Sequence, residues 1–549
     1  MNAHTRKKDS FGIAAALEPA DAASATEAGH FGAIQWLVVL TAVLLTRFSW
    51  VPSFLSIDTV NLAYALDSFD PLRSQPHLPG YPLFVAFARF IRLFAPNAEV
   101  TFRIISVVVT IASASLLYIL TKRMVSRWAA SAAVILFVLN PVFWFTRLNS
   151  PLRPWLALFS LLVAYCAWRC WNGERRFALY GAVALGVGTG FRPDLLAYLL
   201  PLWAVSAWIA TRSWNVMAQG GLVIAGLSAF WFGILVYAMG GIASTFRELT
   251  SYILEQSRRD SVLFAESIRT WLRPIGRLVI WNAIALVSWI WVPIIGYRRL
   301  SAKGIPWKFL LVWVAPGLLF QVFFHIASPG HTLFAIPVWC LAGACLISAM
   351  GRYRDAALAI SAVVSAGLFL NVVTPGNSAS PQAHPLEKAW ISLQNSVAWS
   401  TFETSQDRLR WWDEMTDVSV QELWQFSVSD RPNVIIALNG NDLEWDFINW
   451  RTVTYYMHER PLSVLLDNLP AGQAGRIRRV LGGNMEVAPG STIRLPRSGR
   501  VLWIVLQNGR FHHALERAIP VQRGRYILYS DIPPDAAPFE IEGFRFVPE

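Results

Sequence analysis

Apolar runs approaching 20 residues recur through the first two thirds of the 549-residue chain, and nothing else in the sequence limits its fold so strongly. A run of that length crosses the ~30 Å hydrocarbon layer as one helix. Composition agrees, with 54% of residues hydrophobic and 15% charged, against roughly 25% charged in soluble domains. The soluble globular class is excluded, as are disorder, collagen and coiled coil. The 26 Trp suit indole rings seated at the two membrane boundaries.

The runs predict spans at Ala33–Trp50, Phe102–Leu120, Trp128–Phe145, Pro154–Trp171, Phe177–Gly190, Leu195–Ala210, Val216–Met239, Leu278–Gly296, Phe309–Ile326, Leu333–Met350 and Ala356–Val373, about eleven in all. With a cytoplasmic N-terminus, every loop on the inner side is basic, as the positive-inside rule requires: Lys122, Arg123 and Arg127; Arg169, Arg175 and Arg176; Arg212; Arg298, Arg299, Lys303 and Lys308; Arg352 and Arg354. Much of the net charge of +12 is thereby topological, and a nucleic-acid partner is not expected. Residues 1–32 form a cytoplasmic tail with no apolar core before Phe31, so a cleaved signal peptide is not expected either. Residues 33–373 form the transmembrane domain, and an odd number of spans sends 374–549 outward as an external soluble domain. Cys166, Cys170, Cys340 and Cys345 all lie inside apolar runs, where no extracellular loop can be stapled.

Two outer loops, 51–101 and 240–277, are too long to be simple connections. Tyr81–Phe94 reads as a helix lying in the interface, and Thr245–Trp271 as a second one on the membrane surface. The external segment carries strand-like runs at Asn433–Leu438, Thr492–Leu495, Arg500–Leu506, Arg525–Tyr529 and Phe539–Phe546, preceded by helical stretches at Leu386–Trp399 and Asp407–Met415. That is an α+β domain. Asn439, Gly440, Asn441 and Asp442 form a polar turn after the first strand.

Asp58 stands just beyond the first span, where protein, headgroups and water meet; it serves there either as a base or as the N-cap of a helix over 59–66. Asp67 and Asp70 precede Gln75-Pro76-His77-Leu78-Pro79-Gly80-Tyr81-Pro82, whose rigid turn formers hold His77 either as a phosphate donor or as part of a plain turn. Arg147, Arg153, Arg192, Arg258, Arg259 and His331 are further outer cations, for phosphate contact or for snorkelling to headgroups. Asp194 either partners Arg192 or caps the next span. His325 and His331 flank Ser328-Pro329-Gly330, but with no nearby acid or cysteine they favour phosphate contact over a metal.

The aspartate after the first span, the loop ending His77-Leu78-Pro79-Gly80-Tyr81-Pro82-Leu83, and Glu99-Val100-Thr101-Phe102-Arg103 opening the second span together resemble the C-type (GT-C) glycosyltransferases, in particular the protein O-mannosyltransferase-like and aminoarabinose-transferase-like members. The likeness extends to Gly190-Phe191-Arg192-Pro193-Asp194, to Ser328-Pro329-Gly330-His331 and to a soluble domain placed last. It implies a multi-pass enzyme of the plasma or bacterial inner membrane, a sugar donor carried on a polyprenyl phosphate, a glycan, lipid or protein acceptor, and Asp58 as the general base. Many members carry two adjacent acids where this chain has Asp58-Thr59, a departure that bears on any metal requirement. No other cofactor is implied. A lipid or sugar transporter is the rival reading; it would place ionisable residues at the bilayer midplane and repeat its helices, whereas here they gather at span ends.

Overall fold

The computed structural model describes residues 52–296, 306–370, 385–427, 432–438, 450–457, 462–466, 477–479, 485–505, 508–525 and 527–549. The span predicted at Ala33–Trp50, the basic loop at Arg298–Lys303 and the turn at Asn439–Asp442 lie outside the described residues. The protein is mostly helical, with a C-terminal region that adds two sheets.

The first long loop contains α1 (Ile57–Asp67) and the amphipathic α2 (Pro82–Arg92). Each of the ten predicted spans within the described residues then falls on helix: α3 (Ala98–Met124), α4 (Arg127–Leu139) with α5 (Pro141–Asn149), α6 (Trp155–Trp171), α7 (Phe177–Phe191), α8 (Leu195–Thr211), α9 (Trp214–Ala238), then α10 (Ile242–Asp260) in the second long loop, α11 (Ile268–Leu286) with α12 (Trp291–Gly296), α13 (Trp307–Phe323), α14 (Ile336–Ser348) and α15 (Arg354–Leu370). Among the described residues, three of these helices are long and apolar enough to cross a membrane alone, and a fourth is so if the α4–α5 pair is one span; α6, α7, α8, α13 and α14 are apolar but shorter.

Three expectations change. The run 128–145 is bent by 54° at Asn140, because Pro141 cannot continue the backbone ladder. The Asn140 side chain caps the new start, accepting from the N–H groups of Val142 and Phe143 at 3.1 and 3.4 Å and donating to the Ala285 carbonyl at 3.1 Å. The polar stretch 245–271 is not one helix: α10 stops at Asp260, and a capping box between Ser267 and Thr270 starts α11, which then runs into the next span. Nor does every tryptophan face the lipid. Trp155, Trp203, Trp281, Trp289 and Trp313 are buried in the bundle, where Trp203 donates to the Ala178 carbonyl and Trp313 to Ser160 Oγ, each at 2.8 Å.

After α15 come α16 (Pro385–Phe402) and α17 (Gln406–Phe426), and then strands β1 (Asn433–Leu438), β2 (Leu462–Leu465), β3 (Ile477–Arg479), β4 (Met485–Val487), β5 (Thr492–Leu495), β6 (Arg500–Ile504), β7 (Gln522–Arg523), β8 (Leu528–Asp531), β9 (Phe539–Ile541) and β10 (Phe544–Pro548), with helices α18 (Trp450–Tyr456) and α19 (Arg510–Ala518) between them. A seven-stranded sheet runs β3-β4-β2-β1-β6-β8-β7, parallel across β4-β2-β1-β6; a three-stranded sheet runs β5-β10-β9. The central strands are buried on both faces, as parallel strands usually are. Ile435, Ala437, Leu502 and Ile504 pack against Leu423 of α17 and Val453 of α18, while Ile436, Leu438, Val501 and Trp503 pack against Phe544 and Phe546 of the small sheet.

Candidate active site

The site is built where the start of α1 meets four turns at one end of the helical bundle. Asp58 occupies the first turn of α1, but Ser56 is the N-cap and no side-chain capping bond forms there. The carboxylate turns instead to nitrogen groups: the Arg153 guanidinium, with Nη2 3.4 Å from Oδ2, and the His77 ring, with Nδ1 3.9 Å from Oδ1. With 47% of its side chain exposed, Asp58 remains open to a substrate. Burial pushes its carboxyl up, yet His77, Arg153, Arg192 and Arg451 pull it down by more, so it lies below the usual carboxylate range and is ionised at neutral pH.

His77 is fixed by the turn before α2. Gly80 takes φ +90°, a conformation that favours glycine, and a Cβ there would meet Leu235 Cδ1 at 2.8 Å. Tyr81 Oη lies 3.3 Å from His77 Nε2. Burial pushes the Tyr81 hydroxyl far up, so it keeps its proton, while Nδ1 on the other side of the His77 ring faces Asp58. Burial also lowers His77, and the three arginines add to this against the opposing pull of Asp58, so the ring is neutral at pH 7.

Arg153, in the turn before α6, donates through Nη1 to Ser328 Oγ. It packs directly over Gly330, where a Cβ would come within 2.4 Å of its Cδ. Arg192, at the end of α7, donates to both oxygens of Asp194, from Nε at 3.1 Å and from Nη2 at 2.7 Å, and its guanidinium carbon lies 5.6 Å from the Tyr81 ring centre. Asp194 is therefore the partner of Arg192. His331 Nδ1 accepts from the Ser328 N–H at 3.2 Å, and its ring stands edge-on to His325 at 5.1 Å. Burial, with His325, Arg153 and Arg192 adding to it, puts His331 well below the ordinary histidine value.

The turns thus bring together Asp58, His77, Arg153, Arg192, Asp194 and His331, with His325 beside His331. Asp67 is exposed at the far end of α1, and Asp70 pairs with Arg73 at 3.3 Å in the next turn. Arg258 is exposed on α10. Arg147 is buried beside the rings of Phe143 and Trp144, on the bundle side of α5. Sequence reasoning missed Arg451. It reaches in from α18, donating to Asn61 Oδ1 at 2.9 Å one turn along α1 from Asp58, and it acts on the charges of both Asp58 and His77. No local pattern in the soluble segment marks it; only the docking of α18 on α1 does.

The sequence assigns no metal ligand and leaves a metal requirement open; His512, His513 and Glu516 on α19 form a cluster of suitable ligand atoms. Its hydrogen bonds argue for a salt-bridge network. His512 Nδ1 accepts from the Asn508 N–H at 2.8 Å, so Nε2 carries the proton and faces Glu516 Oε1 at 3.2 Å, while Arg523 donates to that same oxygen at 2.7 Å.

The fold is one already seen among solved membrane proteins. In particular, the chain is similar to ArnT, the aminoarabinose transferase, from Cupriavidus metallidurans: the structure bound to undecaprenyl phosphate superposes with a TM-score of 0.58 at 12% identity, covering 90% of this chain and 98% of that one. The same protein in the apo state gives a TM-score of 0.55 over the same shares. A weaker likeness, with a TM-score of 0.39 and 12% identity over 78% of this chain and 64% of the other, extends to the oligosaccharyltransferase of Archaeoglobus fulgidus. No protein-family model matches the sequence, and no curated protein matches it.

Proposed function

We propose that this chain is a membrane glycosyltransferase that moves one sugar from a polyprenyl-phosphate carrier to an acceptor hydroxyl on the outer side of the membrane. The observation that carries the reading is an ionised, half-exposed carboxylate set among cations in outer turns: Asp58 against Arg153, with Arg192 and Arg451 acting on its charge. Three arginines face two acids, Asp58 and Asp194, so the site keeps a net positive charge suited to a phosphate. The fold likeness to ArnT, solved with undecaprenyl phosphate, supports that carrier class.

In this mechanism the acceptor hydroxyl lies against Asp58, which takes its proton as the oxygen attacks the anomeric carbon. The bond to the carrier phosphate breaks on the opposite side, with inversion. The departing phosphate is already a stable anion, so it needs cations and not a proton, and Arg153 and Arg192 supply them with the Nε2 N–H of His331 beside them. Anchoring the carrier by its lipid tail fixes the sugar at the depth of Asp58, which supplies proximity. The basic inner loops support an external C-terminal domain, on the same side as this site.

The test is transfer in detergent micelles, where no gradient exists and a transporter has nothing to do. Purified full-length chain is given a panel of undecaprenyl-phosphate sugars with membrane extract as acceptor. The wild type is expected to release undecaprenyl phosphate, and Asp58→Asn to do so ~10²-fold more slowly while binding undecaprenyl phosphate normally. Wild-type turnover by Asp58→Asn would sink the reading.

A further inference from the structure

The backbone N–H groups of the segment that leads into Asp58 are held by the C-terminal domain, while the Leu55 side chain packs against the membrane bundle. Ser53 N–H donates to Asp413 Oδ2 at 2.8 Å, and Phe54 N–H donates to Oδ1 of the same carboxylate at 2.7 Å. Leu55 N–H donates to the Tyr456 hydroxyl at 2.8 Å. Three consecutive backbone donors, immediately before the N-cap Ser56, are thus all taken by two side chains from α17 and α18. The Phe54 ring stands edge-on to Tyr456 at 4.9 Å, which fixes the segment laterally. Farther along, Arg451 holds Asn61 on the Asp58 face of α1, and Tyr455 donates to Glu99 at the start of α3, at 2.7 Å.

We propose that Asp413 and Tyr456 are positioning residues, by which the C-terminal domain sets the depth and register of the Asp58 carboxylate. A carboxylate that accepts two adjacent amides makes two charge-assisted bonds with one rigid group, which locks the sliding coordinate of the segment. Asp58 must come within hydrogen-bond length of an acceptor oxygen, so a displacement of about 1 Å is enough to cost much of the rate. The proposed phosphate contacts come from Arg153 and Arg192 on other turns; Arg153 is also held by Ser328, and Arg192 by Asp194, so both keep a partner when Asp58 shifts. The proposal rests on the reading of Asp58 as the base, and it predicts a loss in kcat with donor affinity preserved.

The full-length chain in detergent is compared with Asp413→Asn, Asp413→Ala, Tyr456→Phe and Asp58→Asn by amide hydrogen exchange over residues 52–57, by undecaprenyl phosphate binding and by turnover. Asp413→Asn and Tyr456→Phe conserve shape, so the test does not depend on the alanine variant folding. Expected is faster exchange at 53–55, undecaprenyl phosphate affinity within about twofold of wild type, and kcat reduced ~10-fold in Asp413→Ala, about threefold in Tyr456→Phe and to an intermediate value in Asp413→Asn, which keeps one acceptor oxygen. A loosened segment with unchanged kcat overturns the proposal, and so does a lost kcat with unchanged exchange. Asp58→Asn at full turnover overturns the base reading and this proposal with it; an inactive Asp58→Asn beside a fully active Asp413→Asn overturns this proposal alone.

Discussion

Arg192 donates two of its N–H groups to Asp194, and this alters what it can offer a phosphate. Asp194 fixes the plane of the buried guanidinium, so the pair acts as an oriented donor and not as a loose headgroup contact. Lysine keeps the charge but cannot close on both carboxylate oxygens. Arg192→Lys is therefore expected to weaken donor use several-fold and Arg192→Ala ~10²-fold, about 2–3 kcal/mol for one charge-assisted contact to a developing anion. Undecaprenyl phosphate binding and turnover check this, and equal activity of both variants would return Arg192 to lipid. Arg153 makes a prediction in pH. It is one of the cations that hold Asp58 below the usual carboxylate range. Removing it raises the pKa at which the base is protonated, so the acid limb of kcat/KM in Arg153→Gln should move to higher pH than in wild type. A limb that stays in place or moves down would mean that Asp58 is not the titrating base. Asp58, His77, Arg153 and Arg192 were legible in the sequence because each sits in a turn that Pro, Gly or a span end makes conspicuous. Arg451 and Asp413 were not, since their partners lie hundreds of residues away.

The turn over 328–331 shows how an element, and not a single side chain, sets the site. Ser328 receives Arg153 and supports His331, while Gly330 gives Arg153 room to lie flat. Gly330 has an ordinary backbone conformation, so alanine meets no conformational strain there; its methyl would collide with Arg153 Cδ at 2.4 Å and Thr146 Cγ2 at 3.0 Å. Gly330→Ala is expected to displace the guanidinium and reduce turnover ~10-fold or more while the chain still folds, to be read as kcat beside a thermal melt in detergent. Unchanged kcat would show that Arg153 has another seat. Hydrophobic periodicity located the spans, because runs of that length have one solution in a bilayer. It failed where polarity continued across a helix end: residues 245–271 read as one surface helix, but Ser261 and Ser267 interrupt it through hydrogen bonds to their own neighbours.

The whole molecule couples a membrane bundle to a soluble domain through the first long loop, and the soluble domain was legible only in outline. Runs such as Asn433–Leu438 and Thr492–Leu495 coincide with β1 and β5, but the parallel order β4-β2-β1-β6 depends on pairings between distant segments that no local alternation encodes. Within the bundle, α6, α7, α8, α13 and α14 have 17, 15, 17, 17 and 13 residues. At 1.5 Å per residue these rods reach ~20–26 Å, short of the ~30 Å of an average hydrocarbon layer. α6 and α14 are enclosed by other helices, but α7, α8 and α13 expose Val183, Leu200, Val205, Leu311 and Leu319; a bilayer meeting those faces would thin or let its headgroups dip, shortening the climb of a carrier phosphate toward Asp58. Reconstituted into vesicles of graded acyl length, the protein should turn over carrier-linked sugar fastest in membranes thinner than average and more slowly as the chains lengthen. A rate independent of thickness would mean that neighbouring residues make up the missing length. On that expectation lipid thickness would act on turnover through elastic strain of the membrane and not through any ligand.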